Sequence, residues 1–515
     1  MHFRPLHCFT QPQRPMKNET LLAAIDLGSN SFRLEICRYS HGLIQRVEYI
    51  KETVRQGNGL DADRNLSTAA MERGWDCLSR FAERLAGFKA NQVRVVATQT
   101  LREARNRKVF LDKGHKILGF PIEVVSGREE ARLIYQGVSH LLPPSSENRL
   151  IIDIGGRSTE CILGQGKNAK VLESYRLGSV ASSMKYFAHG EFTAQAFHKA
   201  EVAAKAVMDE ALAAFPKKSW DVAYGSSGTA GAVAEALQAA GWPPEVITRK
   251  GLNWLKEHLI ETGHVDKLRL EGLREDRKTV IGGGLSVLSA VMDLFDIDSL
   301  KVTPGALRHG LLYDLIDRED DHQDVRSITV EGIQKTFRAD AMQAQRVSLV
   351  ACSLLKQLQQ TANDMHDWSR HMKKLHWAAQ LHEIGTQISH TDAHKHGAYI
   401  LENTDTPGFA MHELHRLSLL VLGHKGKLRK LDIDFEDAFF IYQLLSLRLA
   451  VILCHARREP EFTGMHLTLS SQVPRCFELK LAPLWSQRFP QSSHLLQQEV
   501  LSWQKTSWEL RLLAD

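Results

Sequence analysis

Two textures of apolar and polar positions divide this chain. From Leu21 to about Pro144, short apolar runs alternate with stretches whose apolar residues recur every three to four positions. Leu43 to Val54 reads as a strand pair, Thr68 to Phe88 as an amphipathic helix, and Val93-Arg94-Val95-Val96-Ala97-Thr98 as a buried strand with a helix from Thr100. Glu123-Val124-Val125 predicts another strand. It stops at Ser126-Gly127, where the Ser126 hydroxyl can cap a helix opening on Glu129 and Glu130. Past Pro143-Pro144-Ser145-Ser146 a second alternation of strands and helices runs to about Leu315. From Arg318, beginning with Glu319-Asp320-Asp321-His322-Gln323-Asp324, long helical periods take over. They lie around 340–362, 371–385, 412–424 and 436–456, with a short strand pair at Met465–Ser470 and Cys476–Leu481.

These textures predict a flexible tail at 1–19, α/β domains at 20–144 and 145–316, and a mostly helical region at 317–515. The tail is polar, carries prolines and lacks periodicity; Met16 within it is an alternative start that mass spectrometry of the native N-terminus would decide. At 515 residues the chain exceeds what one hydrophobic core usually covers, which agrees with several domains.

Composition contributes exclusions. The seven cysteines, at 8, 37, 77, 161, 352, 454 and 476, include no CxxC pair, so neither a disulfide framework nor a thiolate metal site is suggested; a reducing compartment, the cytoplasm, is expected. No apolar run approaches the roughly 18 residues that span a bilayer, and Met1 to Lys17 has no apolar signal core, so no membrane partner is expected. A net charge of +5 tolerates a polyanion without implying specific nucleic-acid recognition.

The candidate chemistry begins with a repeated pattern. Ala24-Ile25-Asp26-Leu27-Gly28-Ser29-Asn30-Ser31 and Ile151-Ile152-Asp153-Ile154-Gly155-Gly156-Arg157-Ser158-Thr159 lie 127 residues apart (153 − 26). In each, an apolar run ends in a carboxylate, and the Gly and small hydroxyl residues that follow let backbone N–H groups approach a phosphate. The carboxylate can hold a cation or orient a water. One copy alone would read as a structural hairpin; a second makes coincidence a poor account.

Further loops share this character. Thr98-Gln99-Thr100 and Arg102 follow the carboxyl end of a strand, where open α/β sheets bind ligands, and Arg102 can fork onto a phosphate, although a surface arginine is the plainer reading. Glu129 and Glu130 favour a helix N-terminus electrostatically, and one of them, facing a cleft, could take a proton from an attacking water. Ala223-Tyr224-Gly225-Ser226-Ser227-Gly228-Thr229 and Val302-Thr303-Pro304-Gly305-Ala306-Leu307-Arg308-His309-Gly310 are two more such turns, Gly228 offering another close backbone approach. Neither a GxxxxGK[ST] loop nor a GxGxxG fingerprint is present.

Asp26-Leu27-Gly28-Ser29-Asn30-Ser31, Ala97-Thr98-Gln99-Thr100-Leu101-Arg102, Ser126-Gly127-Arg128-Glu129-Glu130-Ala131-Arg132-Leu133, Asp153-Ile154-Gly155-Gly156, Gly225-Ser226-Ser227-Gly228-Thr229 and Gly305-Ala306-Leu307-Arg308-His309-Gly310 together resemble the Ppx/GppA family of exopolyphosphatases and guanosine pentaphosphate phosphohydrolases. The resemblance covers residues 21 to 315. It implies a duplicated ribonuclease-H-like fold of the actin, sugar-kinase and Hsp70 superfamily, with the active site in the cleft between two α/β domains. It further implies Glu130 as catalytic base and Asp153 and Glu160, with Asp26, around Mg2+, potassium being a second candidate cation. Gly28, Ser29, Asn30, Ser31, Thr98, Gly155, Gly156, Ser158 and Gly228 would hold phosphate, and Arg102 would neutralise it. Arg157 departs from the family's three glycines and either adds a phosphate contact or points to solvent.

The C-terminal part resembles the family's HD-like helical domain, with Leu381-His382-Glu383-Ile384-Gly385 at the His-Asp position. Glu383 replaces the Asp that a metal-dependent HD site needs, so His371, His376, His382, His390, His394 and His396 are expected to pack or face solvent rather than hold a second catalytic metal. Long-chain members use this domain to shape a basic passage and form a homodimer; His394, Lys395, His396, Lys425 and Lys427, with Arg157 and Arg308, are the candidate polyanion path. The function expected is therefore a Mg2+-dependent exopolyphosphatase acting on inorganic polyphosphate through Glu130-activated water. The alternative is hydrolysis of guanosine pentaphosphate to the tetraphosphate, and more distant readings are an ATP-dependent phosphotransferase or a non-catalytic sensor.

Overall fold

The computed structural model describes residues 19–40, 43–318, 324–362, 368–404 and 406–513. The expected tail, with Met16, lies outside the described residues apart from Glu19, as do 319–323 and Asp405. The chain divides into two compact units, one within Gln13–Asp324 and the other within Val325–Asp515.

The first unit contains two sheets built alike. β1 (Thr20–Leu27), β2 (Phe32–Ser40), β3 (Leu43–Glu52), β4 (Val93–Ala97) and β5 (Ile122–Val124) lie in the order β3-β2-β1-β4-β5. β1 to β3 pair antiparallel, whereas β4 joins β1, and β5 joins β4, in parallel. β6 (Asn148–Ile154), β7 (Thr159–Gln165), β8 (Asn168–Tyr175), β9 (Val222–Ser226), β10 (Val246–Thr248) and β11 (Ser299–Val302) repeat that order as β8-β7-β6-β9-β11, with β10 as an added antiparallel edge. The duplicated ribonuclease-H-like fold is thus present at the level of topology. The two repeated Asp-Gly loops occupy the same place, the turn from a central strand into its antiparallel neighbour.

Two elements depart from the sequence pattern. The segment expected as a strand pair over Leu43–Val54 holds one strand, Leu43–Glu52, and β2 supplies the other half of its ladder. The helix expected from Thr100 ends at Glu103 and resumes as Arg107–Leu118.

The helix Gly127–Leu141 is capped by Ser126, whose Oγ accepts from the Glu129 N–H at 3.2 Å. Its Leu133, Ile134 and Val138 pack with Leu22, Ala24 and Val96 of the first sheet, and with Leu307, Leu311, Leu312 and Leu315 of the helix Leu307–Asp317. That closing helix follows β11 in sequence yet completes the core of the first half. Gly310 permits the approach, since a Cβ there would collide with the Leu133 carbonyl. Within this packing Asp314 is buried between the guanidinium groups of Arg94 and Arg132, with Arg318 Nε at 2.7 Å, and Arg132 also forks onto Glu129 through Nε and Nη2, both at 2.8 Å.

The second unit is mostly helical: Val325–Thr336, Ala341–Thr361, Trp368–Leu381, Ala393–Asn403, Met411–Gly423, Ala438–Leu453 and Pro490–Trp503. Ala438–Leu453 is apolar on nearly every side and accordingly buried, in a core shared with Val347, Leu354, Leu375, Leu417 and Leu420. Beside these helices, β12 (His466–Leu469) and β13 (Cys476–Lys480) form the expected antiparallel pair, and β14 (Glu509–Leu513) joins β13 in parallel. The histidines here have packing partners: His376 Nδ1 lies 2.7 Å from Ser348 Oγ, His382 Nδ1 2.7 Å from the Ala379 carbonyl, and His371 stacks on Phe439. Glu383 accepts from Arg457 Nη2 at 2.5 Å. Among the described residues no helix is long and apolar enough to cross a membrane.

Candidate active site

Asp26 and Asp153 stand at matching positions near the ends of β1 and β6. Directly opposite each, seven residues on and on the neighbouring strand, come Arg33 and Glu160. The two hairpins therefore share geometry and differ in charge. Arg33 Nη1 holds Asp26 Oδ2 at 2.8 Å. Asp153 has an acid opposite it, and its Oδ2 instead accepts from Ser226 Oγ at 2.9 Å. Burial, working against the Ser226 and Ser227 hydrogen bonds, pushes the Asp153 carboxyl up to about 6. The Glu160 carboxyl is raised by burial and by the nearby Glu130 and Asp153, with Ser174 Oγ donating to it at 2.8 Å.

A cleft of about 470 Å3 opens between the two halves of the first unit. Its wall gathers Asp26, Gly28, Ser29, Asn30, Ser31, Thr98, Glu130, Asp153, Gly155, Gly156, Ser158, Gly228 and Arg308 from the sequence reading. The two phosphate loops nearly touch, since a Cβ on Gly156 would stand 2.9 Å from the Ser29 Cβ. Asn30 Nδ2 and Ser31 Oγ are buried without a hydrogen-bond partner. Such orphaned polar atoms suit an anion bound between the loops.

Glu129 and Glu130 occupy successive positions in the first turn of Gly127–Leu141 and turn different ways. Glu129 faces Arg94 and Arg132, fully buried, while Glu130 faces the cleft. Arg102 Nη1 donates to Glu130 Oε2 at 3.1 Å. Burial raises the Glu130 carboxyl well above the ordinary range, and the Arg102 charge only partly offsets this. A carboxylate with raised proton affinity facing a cleft has the character of a general base.

Three expected site residues lie off the cleft wall: Arg102, Arg157 and Glu160. Arg102 donates to Glu130 Oε2, the Val125 carbonyl and Gln99 Oε1. Arg157 does not point to solvent; its Nη1 donates to the Gly57 carbonyl at 3.2 Å and its Nη2 lies 3.4 Å from Glu103 Oε2.

The cations that line the cleft include Arg33, Lys51, Arg274, Arg277 and Arg308. Lys51 Nζ pairs with Asp276 at 2.6 Å, Arg308 Nε with Glu35 at 2.5 Å, and a Cβ on Gly228 would collide with the Arg277 guanidinium. Sequence reasoning missed four of these five. Arg33 stands at the position in the first hairpin that Glu160 holds in the second, seven residues after the aspartate. Arg274 and Arg277 had no signal, because no motif marks the segment between Thr262 and Ile281.

The remaining candidates belong to the second unit. His394, Lys395 and His396 sit at the start of Ala393–Asn403, and Lys425 and Lys427 follow Met411–Gly423. Lys395 pairs with Asp392 at 2.8 Å, and His394 packs beside Gly426. Among the described residues no three His, Cys, Asp or Glu side chains are placed to share a metal ion.

Residues 35–319 match the Ppx/GppA phosphatase family, and residues 325–501 match domain III of the Ppx/GppA phosphatases. A Vibrio atlanticus protein named guanosine-5'-triphosphate,3'-diphosphate pyrophosphatase is 40% identical over 468 residues, covering 88% of this chain and 92% of that one. A Photobacterium profundum protein of the same name is 37% identical over 499 residues, covering 96% and 98%. The crystal structure of an exopolyphosphatase-like protein, 25% identical, superimposes with a TM-score of 0.53 over 58% of this chain and 99% of its own. An exopolyphosphatase from Cytophaga hutchinsonii, 23% identical, shares the fold with a TM-score of 0.53 over 58% and 98%. Since the family match covers more than half of the chain and the Vibrio atlanticus relative is 40% identical over 92% of its own length, the chain belongs to the Ppx/GppA phosphatase family.

Proposed function

We propose that this protein hydrolyses the terminal phosphoanhydride of guanosine-5'-triphosphate,3'-diphosphate, releasing orthophosphate. The observation that carries hydrolysis is the placement of Glu130 at a cleft where two Gly-hydroxyl loops meet, the first of them holding the unpartnered donors Asn30 Nδ2 and Ser31 Oγ. The terminal phosphate lies between the loops, bound by Ser29, Asn30, Gly155, Gly156 and Ser158. Glu130 accepts a proton as water oxygen attacks phosphorus, the anhydride P–O bond breaks, and the leaving diphosphate takes the bonding electron pair.

The nucleotide takes precedence over inorganic polyphosphate, reversing the order expected from sequence. Both full-length relatives described above carry its hydrolysis in their name. The cleft also continues past Gly228 to Arg274 and Arg277, so it offers cations away from the terminal-phosphate site for a substrate with a second phosphate group. Polyphosphate is the second reading, favoured by the superposition on an exopolyphosphatase-like protein.

Asp153 and Glu160, two oxygen donors with raised carboxyls, have the chemistry a hard divalent cation such as Mg2+ takes. Asp153 and Glu160 would hold it with substrate oxygens, since Asp26 is already held by Arg33. When bound, the ion neutralises charge on the transferring phosphate.

The test is phosphate release with Mg2+, offering guanosine pentaphosphate and long-chain polyphosphate in parallel at matched terminal-phosphate concentration. Faster release from the nucleotide supports the proposal. Faster release from polyphosphate restores the second reading, and silence on both removes hydrolysis.

A further inference from the structure

Arg157 occupies the same place in the second loop as Asn30 does in the first, counted from Asp153 and Asp26. Asn30 lines the cleft, whereas Arg157 turns away and reaches the opposite half of the unit. Its Nη1 donates to the Gly57 carbonyl at 3.2 Å and its Nη2 lies 3.4 Å from Glu103 Oε2. The stem is packed as well, for a Cβ on Gly57 would stand 3.2 Å from Arg157 Cδ.

Both partners lead back to the site. The Gln56–Gly59 turn that Arg157 grips also holds the first phosphate loop: the Gly57 N–H donates to the Ser29 carbonyl at 2.7 Å and the Arg55 N–H to the Asn30 carbonyl at 2.8 Å. Glu103 Oε1 accepts from Gln99 Nε2 at 2.6 Å, Gln99 Oε1 accepts from Arg102 Nε at 2.9 Å, and Arg102 Nη1 reaches Glu130 at 3.1 Å. A continuous run of side-chain hydrogen bonds therefore joins the second loop to the base.

We infer that Arg157 is a positioning residue: it latches the second phosphate loop onto the turn supporting the first, and through Glu103, Gln99 and Arg102 it fixes the orientation of Glu130. A guanidinium suits this task because its planar fork can satisfy two acceptors at once, which a lysine does less well. The two loops must stand at a fixed separation to hold one phosphate, and an error near 1 Å there costs up to about a hundredfold in rate. The positioning part of this inference rests on Glu130 being the base.

The full chain carrying Arg157→Met, which keeps the stem and removes the guanidinium, is compared with wild type and with Arg157→Lys. Two readouts are taken, hydrogen exchange of the backbone amides at 55–59 and 155–158, and phosphate release. The Met variant is expected to exchange faster in both segments and to lose roughly tenfold in kcat with KM little changed, because Arg157 does not line the cleft. The Lys variant should recover part of both. Unchanged exchange overturns the latch, and faster exchange with unchanged kcat overturns the positioning role. Should the wild type release phosphate from neither substrate, the proposed function fails, while the exchange comparison still decides the latch.

Discussion

Arg102 donates through Nη1 to Oε2 of Glu130 at 3.1 Å, so the candidate base is held by a cation that does not itself line the cleft. Burial raises the Glu130 carboxyl and Arg102 opposes that rise. In Arg102→Met the opposition is gone, the carboxyl titrates at still higher pH, and less of it is ionised near neutrality. The acid limb of kcat/KM against pH is expected to move upward, with the rate at pH 7 falling roughly tenfold or more. A profile that keeps its limb would separate Arg102 from the ionisation of the base.

Glu130→Gln keeps the size of the side chain and removes its basicity. Turnover should fall by about 10²–10⁴-fold, while calorimetric titration with unhydrolysed nucleotide should show affinity close to wild type. Normal turnover in this variant would displace Glu130 as the base.

Asp153→Asn should raise the Mg2+ concentration needed for half-maximal phosphate release without lowering the thermal midpoint, because Ser226 can still hydrogen-bond the side chain. Chelation should silence the wild type reversibly. An unaltered Mg2+ requirement in Asp153→Asn would separate this carboxylate from the ion.

Glu35 supplies a pH test of stability. Burial acts against its ionisation, but the His309 hydrogen bond and the guanidinium groups of Arg308 and Arg46 outweigh burial and hold it at about 2, against 4.5 for the free side chain. A depressed carboxyl stabilises the fold above its unfolded value and ceases to do so as pH falls from 4.5 toward 2. This contribution is about 3 kcal/mol at neutral pH. Denaturant midpoints measured from pH 7 to pH 3 should fall less steeply in Glu35→Gln than in wild type.

Asp314→Ala removes the acid shared by Arg94, Arg132 and Arg318 beneath the closing helix. Buried guanidinium groups left without that partner are expected to lower stability by about 3–5 kcal/mol, read from chemical denaturation. A loss below 1 kcal/mol would mean that Glu129 and Glu123 suffice as partners.

Much of the candidate site was legible because its loops follow strand ends, where short motifs fix backbone geometry locally. Gly28, Ser29, Gly155 and Gly156 meet in space for that reason. The cations of the cleft were less legible, since Arg274 and Arg277 reach it through tertiary packing alone and Arg33 is visible only once β1 and β2 are known to pair. The partners of Arg102 and Arg157 were not legible either, because a nearby buried acid or carbonyl that engages a guanidinium is set by tertiary packing. In the second unit, β14 escaped notice because a five-residue parallel edge strand carries no turn signal of its own.

The closing helix also bears on the order in which the molecule can form during synthesis. Leu133 and Val138 emerge from the ribosome well before Leu307 and Leu311, the residues that cover them. Between the end of one helix and the start of the other lie 165 residues (307 − 141 − 1). At ~5–20 residues per second this interval lasts about 8–33 s. For that period the first half has strands, a phosphate loop and the Glu130 helix, but an apolar face open to any chaperone or neighbouring chain. A nascent chain halted near residue 300 would accordingly bind hydrophobic-surface probes, and one extended past the closing helix would not.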